Sequence, residues 1–174
     1  MQKKEEILES FKTAIKSTIK SISNKDDIEI SFGGQEVSSE NNKLRLPEIK
    51  EYQNKINFDL TRAQADSESL KLRYSNKKVF KSFEPAGLKA KKLYEIAEKI
   101  RYEKLGSDQF NGVKNNINKY YQERVNSLDF KSSEDKIVGS FENYLRCKLL
   151  KTKNNKELEK KLKSFKKDID TQFK

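Results

Sequence analysis

The 174-residue chain has no histidine, no tryptophan and a single cysteine, Cys147. Without histidine it cannot form the Ser-His or Cys-His pairs of nucleophilic catalysis, or a zinc site that needs imidazole ligands. One cysteine excludes an internal disulfide. The P-loop and the GxGxxG fingerprint are also missing, so the common motifs of nucleotide binding are absent. We therefore expect no catalytic residue, bound cofactor or metal ligand in this chain.

Long hydrophobic runs are missing as well. No apolar stretch approaches the ~18 residues that a membrane-spanning helix needs, and the polar first residues, Met1 to Glu6, do not resemble a secretory signal. The sequence therefore predicts a soluble, cytoplasmic protein without membrane contact.

Positive charge is what the chain has in excess. It carries 38 Lys and Arg residues against 27 Asp and Glu, a net charge of +11, but only six of the basic residues are arginine. Because the planar guanidinium suits bidentate phosphate and base contacts, this scarcity weighs against nucleic-acid binding. Residues 145–174 hold 11 basic and four acidic residues, a net of +7. This region is either a solvated helical face or a surface for phosphates or acidic partners.

Hydrophobic spacing predicts a mainly α-helical protein of about six helices. Two segments of alternating apolar and polar residues, at about 28–32 and 43–46, predict one small β-hairpin with a long loop. Gly106 is expected to end the third helix, and Ser133 is expected to cap the fifth. The helices are expected at about residues 3–22, from 48 or 52 to 82, from after the break at 85–87 to 105, and at about 113–125, 133–150 and 158–173. We expect a helical domain with the hairpin at 1–126, and a basic helical extension at 127–174 that packs on it or binds a partner.

Arginines and carboxylates at helical spacings between residues 60 and 106 form the candidate site, a structural or docking network. Helical geometry places Arg62, Asp66 and Arg73 between two apolar stripes. This position predicts that the row is partly buried and that Arg62 pairs with Asp66. Glu98 and Glu103 point about 140° apart on one helix, so salt bridges are favoured over a shared magnesium ion. The six residues are Arg62, Asp66, Arg73, Glu98, Arg101 and Glu103.

The order and spacing of several short motifs resemble the N-terminal region of the cobaltochelatase subunit CobT, over about residues 28–124. The motifs are Ile30-Ser-Phe32-Gly-Gly34, Leu44-Arg45-Leu46-Pro47-Glu48, Arg62-x-x-Ala65-Asp66, Leu70-x-Leu72-Arg73, Pro85-x-Gly87-x-x-Ala90, Glu98-x-x-Arg101-x-Glu103-x-x-Gly106 and Gly112-Val113.

The resemblance implies a subunit of the ATP-dependent cobaltochelatase, a ligase that inserts cobalt into hydrogenobyrinic acid a,c-diamide during cobalamin biosynthesis. The implied partners are the AAA+ ATPase subunit CobS and the large subunit CobN. ATP and magnesium would belong to the AAA+ subunit, and cobalt would be the substrate of the complex.

The family's C-terminal von Willebrand A-type domain has no counterpart in this sequence, so the resemblance implies the N-terminal domain alone, either as a fragment or as a truncated protein. Assembly and docking are the implied roles, with no catalytic site in this segment. Homo-oligomerisation is left open. The alternative function is a basic helical module that binds nucleic acid or another protein.

Overall fold

The computed structural model describes residues 2–35, 37–40, 42–49, 51–52, 55–56, 58–126, 132–152, 156 and 160. The predicted mainly α-helical class is confirmed, with a small β component. None of the helices in the described ranges is long and apolar enough to cross a membrane. The helices are α1 Gln2–Ser23, α2 Phe58–Tyr74, α3 Lys77–Ser82, α4 Leu88–Gln109, α5 Asn111–Asn126 and α6 Ser133–Leu145, with a π-helical turn at Arg146–Leu150. The strands are β1 Glu29–Gly34, β2 Ser38–Glu40, β3 Lys43–Pro47, β4 Glu51–Tyr52 and β5 Lys55–Ile56.

The chain divides into two compact units, a first unit at Met1–Tyr74 and a second unit at Ser75–Lys174. This division concerns packing. The expected boundary near residue 126, between a family domain and a basic extension, stays a prediction.

In the first unit, α1 supplies the apolar stripe that its sequence predicts. Ile15 and Ile19 are fully buried, and Ile22 is nearly so. Ile15 and Ile19 pack with the apolar faces of β1, β3 and α2, because an amphipathic helix is stable only when its apolar stripe is covered. The buried core cluster consists of Ile15, Ile19, Ile28, Ile30, Leu44, Leu46 and Ala65.

The two predicted strands exist, but they do not form the predicted hairpin. β1 pairs in parallel with β3, and β2 pairs with β3 in antiparallel orientation, which gives the order β1-β3-β2. The residues between the two predicted strands hold β2, which makes the tight connection to β3. Asn42 in that connection has a φ of 65°, a conformation that asparagine tolerates well. The antiparallel edge of β3 is therefore taken by β2, and β1 pairs along its other edge.

The predicted helix that begins at 48 or 52 and ends at 82 is wrong in its bounds. Residues 51–52 and 55–56 form the short antiparallel pair β4–β5, and α2 begins only at Phe58. The helix ends at Tyr74, and Asn76 starts the separate helix α3. The Asn76 side-chain oxygen accepts hydrogen bonds from the backbone amides of Lys78 and Val79, at 3.0 and 3.2 Å. Asparagine is a favoured N-cap because it satisfies these otherwise unpaired amides.

Two predicted helix ends in the second unit also need correction. Gly106 does not cap α4 but lies buried within it, and the helix continues to Gln109. The N-cap of α6 is Ser132 rather than Ser133, because its hydroxyl accepts from the Asp135 amide at 3.0 Å while Asp135 accepts from the Ser132 amide. This reciprocal capping box satisfies two backbone donors at once. The last expected helix, at about 158–173, lies outside the described residues apart from Lys160.

Replacing Ile19 by alanine should lower the free energy of unfolding by about 2–5 kcal/mol, because it leaves a cavity in a fully buried site. Urea unfolding followed by circular dichroism measures this. Ile7→Ala on the same helix is the matched control, since Ile7 is 51% exposed. Equal losses in the two variants would contradict the packing of α1 described above.

Candidate functional site

Four charged side chains from separate elements meet in the second unit, three of them largely buried and Arg124 with 33% of its side chain exposed. They are Glu103 of α4, Arg124 of α5, Glu142 of α6 and Arg146 of the π-helical turn, and we call them the buried charge network. Only 2% of the Glu103 side chain and 4% of the Arg146 side chain are exposed. Charged groups are rarely buried to this degree unless they are paired.

Arg146 lies at the centre of the network. Its Nη1 donates to Glu103 Oε2 at 2.8 Å, and its Nε donates to Glu142 Oε1 at 3.1 Å. The second oxygen of Glu142 accepts from Arg124 Nη2. One guanidinium therefore joins α4 to α6, and Glu142 extends the connection to α5. Two arginines face two glutamates, so the formal charges of the network cancel.

Local sequence places Arg146 where α6 changes its winding. Glu142 and Arg146 are four residues apart, so they share one helix face. The chain then continues as the π-helical turn, which ends at Lys151 in the left-handed conformation with a φ of 54°. The Lys151 amide donates to the Arg146 carbonyl. Single π-helical turns often occur at sites where a side chain must be redirected or fixed.

Tyr121 of α5 forms the aromatic wall of the network. The Arg146 guanidinium carbon lies 4.4 Å from the centroid of its ring, and that of Arg124 lies 5.9 Å away. Both distances are within the range of cation–π attraction. Burial, and then the charge of Glu142, raises the pKa of Tyr121 well above its ordinary value, so the phenol stays neutral at physiological pH.

The electrostatics keep Glu142 and Arg146 charged. Burial alone would raise the pKa of Glu142, but the Arg146 and Arg124 guanidiniums outweigh it and hold that pKa below its ordinary value. Burial would lower the pKa of Arg146, and the charges of Glu103 and Glu142 raise it instead. These opposing effects are those expected when desolvation is offset by close, hydrogen-bonded partners.

The expected row of Arg62, Asp66 and Arg73 is found on α2 in the first unit, but it is not buried as a row. Asp66 is buried, whereas both arginines are exposed. The Arg62 guanidinium lies 5.8 Å from the ring centroid of Phe11. Arg73 Nη1 donates to the carbonyl of Ile22 at 2.8 Å, so it joins α2 to the end of α1. Long arginine side chains reach partners while their heads stay in water, which is why position between two apolar stripes did not bury them.

Glu98 and Arg101 form a bidentate ion pair on α4. Arg101 Nε and Nη2 donate to the two carboxylate oxygens of Glu98 at 2.6 and 2.8 Å. The hydrogen bond from Arg101 holds the pKa of Glu98 below its usual value despite partial burial, with help from the Ser75 hydroxyl. Glu98 and Glu103 thus bond different arginines. Within the described part of the chain, no group of three or more His, Cys, Asp or Glu side chains is placed to hold a metal ion.

Sequence reasoning singled out Glu103 but not Arg124, Glu142 or Arg146. The four-residue spacing of Glu142 and Arg146 was one sequence feature that could have indicated their ion pair. All six arginines make a specific contact: Arg45 donates to the Gly33 carbonyl at 2.9 Å, and the other five make the contacts described above. In a chain whose basic residues are nearly all lysine, each arginine thus holds a defined partner within its own unit.

Comparison with known proteins gives one family match. A family model described as cobalamin biosynthesis protein CobT matches residues 5–146. The matched range begins in α1 and ends at Arg146, so it contains all four residues of the buried charge network. No solved structure matches the chain.

Replacing Arg146 by alanine removes the guanidinium that bonds both buried carboxylates. We expect the free energy of unfolding to fall by about 3–5 kcal/mol, the range for breaking a buried ion pair. Arg101→Ala is the matched control, because its pair with Glu98 is 47% exposed on the arginine side and such pairs contribute about 1 kcal/mol or less. If the two substitutions lowered the unfolding midpoint in urea equally, the assigned role of Arg146 would be wrong.

The lowered pKa of Glu142 predicts a pH-dependent contribution to stability. Because its folded-state pKa lies below the unfolded value of about 4.3, the contribution is present at neutral pH and is lost as pH falls through the folded-state pKa. Glu142→Gln should therefore be less stable than the unchanged protein at about pH 7, and the difference should shrink towards about pH 3. Urea unfolding of both proteins across this range measures the difference. A difference that does not vary with pH would contradict the assigned ion pairs.

Proposed function

This chain belongs to the CobT family and has a role in cobalamin biosynthesis, and we propose that it is an assembly subunit of an ATP-dependent cobaltochelatase. In this role it carries no catalytic group of its own. It docks with an AAA+ ATPase subunit of the CobS type and with the large subunit of the CobN type. The enzyme complex inserts cobalt, its substrate, into the corrin precursor hydrogenobyrinic acid a,c-diamide in the cytoplasm.

The observation that supports a docking role is that the residues of the buried charge network bond one another. Glu103, Arg124, Glu142 and Arg146 bond one another and connect three helices and the π-helical turn. A catalytic acid or base must reach a substrate, whereas these groups are directed at each other inside the second unit. The arrangement favours a rigid helical support whose outer surface meets other proteins.

The same proposal assigns different roles to the subunits of the complex. ATP and magnesium are bound by the AAA+ subunit, and this chain acts as a chaperone-like partner that transmits or stabilises the active arrangement. Like other interfaces between assembly subunits, its contact surface would combine exposed apolar side chains with a charged rim.

The test is co-migration of this chain with the AAA+ subunit of the same biosynthetic system in size-exclusion chromatography. We expect a joint peak in at least one of three conditions: no nucleotide, ATP, or a non-hydrolysable ATP analogue. We also expect the chain alone to bind no fluorescent ATP analogue. Running buffer at physiological salt suppresses association due only to the net charge of +11.

A helical protein of similar size and net positive charge from an unrelated system serves as the control for charge. Separate elution of this chain from the ATPase in all three conditions would count against docking. Tight nucleotide binding by the chain alone would count against the non-catalytic role.

A further inference from the structure

Three large apolar side chains project from the second unit between the start of α3 and the start of α4. Val79 is 54% exposed, Phe83 is 73% exposed and Leu88 is 88% exposed. We call these three residues the α3–α4 apolar patch. Single exposed apolar side chains are ordinary on protein surfaces, whereas contiguous exposed apolar surface is typical of interaction sites.

Specific contacts fix the segment that carries the patch. The ring of Phe80 stacks on that of Tyr94 with centroids 4.7 Å apart, and the Tyr94 hydroxyl donates to the Phe80 carbonyl at 3.2 Å. Phe80 thus attaches α3 to α4. Val79 lies within α3, and Phe83 is the residue that caps the end of this helix.

The turn after α3 is attached to α4 as well. Lys91 Nζ lies 2.9 Å from Glu84 Oε1, and Glu84 follows Phe83 directly. Lys91 is one helical turn beyond Leu88, so the two share a face of α4. The ion pair therefore draws the turn that bears Phe83 towards the face of α4 that bears Leu88.

Positive charge surrounds the patch. Residues 77–92 contain six lysines and one acidic residue, Glu84, for a net charge of +5. Two of the lysines form ion pairs, Lys91 with Glu84 and Lys89 with Glu134 at 3.6 Å. The other four carry no ion pair to any residue that the structure describes. They are Lys77, Lys78, Lys81 and Lys92.

We propose that the α3–α4 apolar patch binds an acidic amphipathic segment of a partner protein. Its apolar side chains would contact Val79, Phe83 and Leu88, and its carboxylates would meet the surrounding lysines. The inference rests on the proposed docking role only in that the ligand is a protein. It adds the surface and the chemistry of the partner.

Charge complementarity selects this occupant over two others. The chain's own residues 145–174 carry a net charge of +7, and a second copy of the chain carries +11. Either would bring like charge to a lysine-rich rim, which costs free energy at an interface. A segment with carboxylates on its polar face instead relieves the repulsion among the lysines and speeds association.

Membranes and nucleic acids fit the patch less well. Insertion into a bilayer would carry the partly exposed Glu84–Lys91 pair out of water, at a cost that hydrocarbon does not offset. Residues 77–92 contain no arginine, and Phe83 is the single exposed aromatic side chain among them. Single-strand binding uses several stacking aromatic rings along a basic groove.

The test measures fluorescence anisotropy of a labelled synthetic peptide of about 16 residues, with leucines at helical spacing and glutamates at the other positions. The reference is a peptide of identical composition whose leucines are not at helical spacing. We expect the amphipathic peptide to bind more tightly than the reference at physiological salt. The double variant Phe83→Ser/Leu88→Ser should weaken binding about tenfold or more, as loss of central apolar anchors does.

Matched controls separate the patch from general effects. Ile137→Ser changes an apolar side chain of α6 that is 45% exposed, and it should leave peptide binding within about twofold. The double variant of the patch should keep the melting midpoint nearly unchanged, because both side chains are exposed. Lys78→Glu/Lys81→Glu should weaken binding of the acidic peptide and reduce its dependence on salt.

Three results would overturn the proposal. The first is equal affinity for the two peptides, and the second is unchanged peptide affinity in Phe83→Ser/Leu88→Ser. The third is that this variant loses binding to phosphatidylserine-containing vesicles or to a single-stranded oligonucleotide but still binds the peptide. That result would assign the patch to a membrane or a nucleic acid. Because the peptide assay contains no ATPase, its failure is distinct from failure of co-migration with the AAA+ subunit.

Discussion

A guanidinium removed from water must be met by carboxylates at bonding distance, and in the second unit this requirement falls on Arg146. Its side chain is 4% exposed and bonds Glu103 and Glu142, which lie on different helices. Desolvating one charge without a partner costs several kcal/mol, comparable with the net stability of a whole domain. The arrangement of α4, α5 and α6 therefore depends on all the members of the network being in place together.

Arginine and lysine also differ in what their charged groups contact. The six arginines make defined contacts within the protein, to carboxylates, carbonyl groups or aromatic rings. Most of the net positive charge comes from lysine, whose flexible, strongly hydrated ammonium suits a solvent-facing surface. The two residue types thus differ in use: arginine makes fixed contacts within each unit, and lysine surrounds the exposed apolar patch that we propose as a docking surface.

Local patterns predicted much of the fold but little of the site. The stripe of α1 and the positions of β1 and β3 follow from periodicity, and the order of short motifs identified the CobT family, which the family match confirms. The parallel pairing of β1 depends on which edge of β3 is already occupied, which periodicity cannot reveal. The site was harder, because Glu103 and Arg146 are 43 residues apart. In a chain that is 37% charged, the helical spacing of Glu142 and Arg146 resembles that of many solvent-exposed pairs.

Arg146 and Glu103 are expected to stabilise the second unit as a pair, and a double-mutant cycle measures the coupling between them. The variants are Glu103→Gln, Arg146→Met and their combination, each measured by urea unfolding at neutral pH. We expect a coupling free energy of about 2 kcal/mol or more, near the upper part of the range for contacting residues. The same cycle on the exposed pair Glu98–Arg101 should give about 1 kcal/mol or less. Additive effects of the Glu103 and Arg146 substitutions, with no measurable coupling, would show that the two residues do not stabilise the unit as a pair.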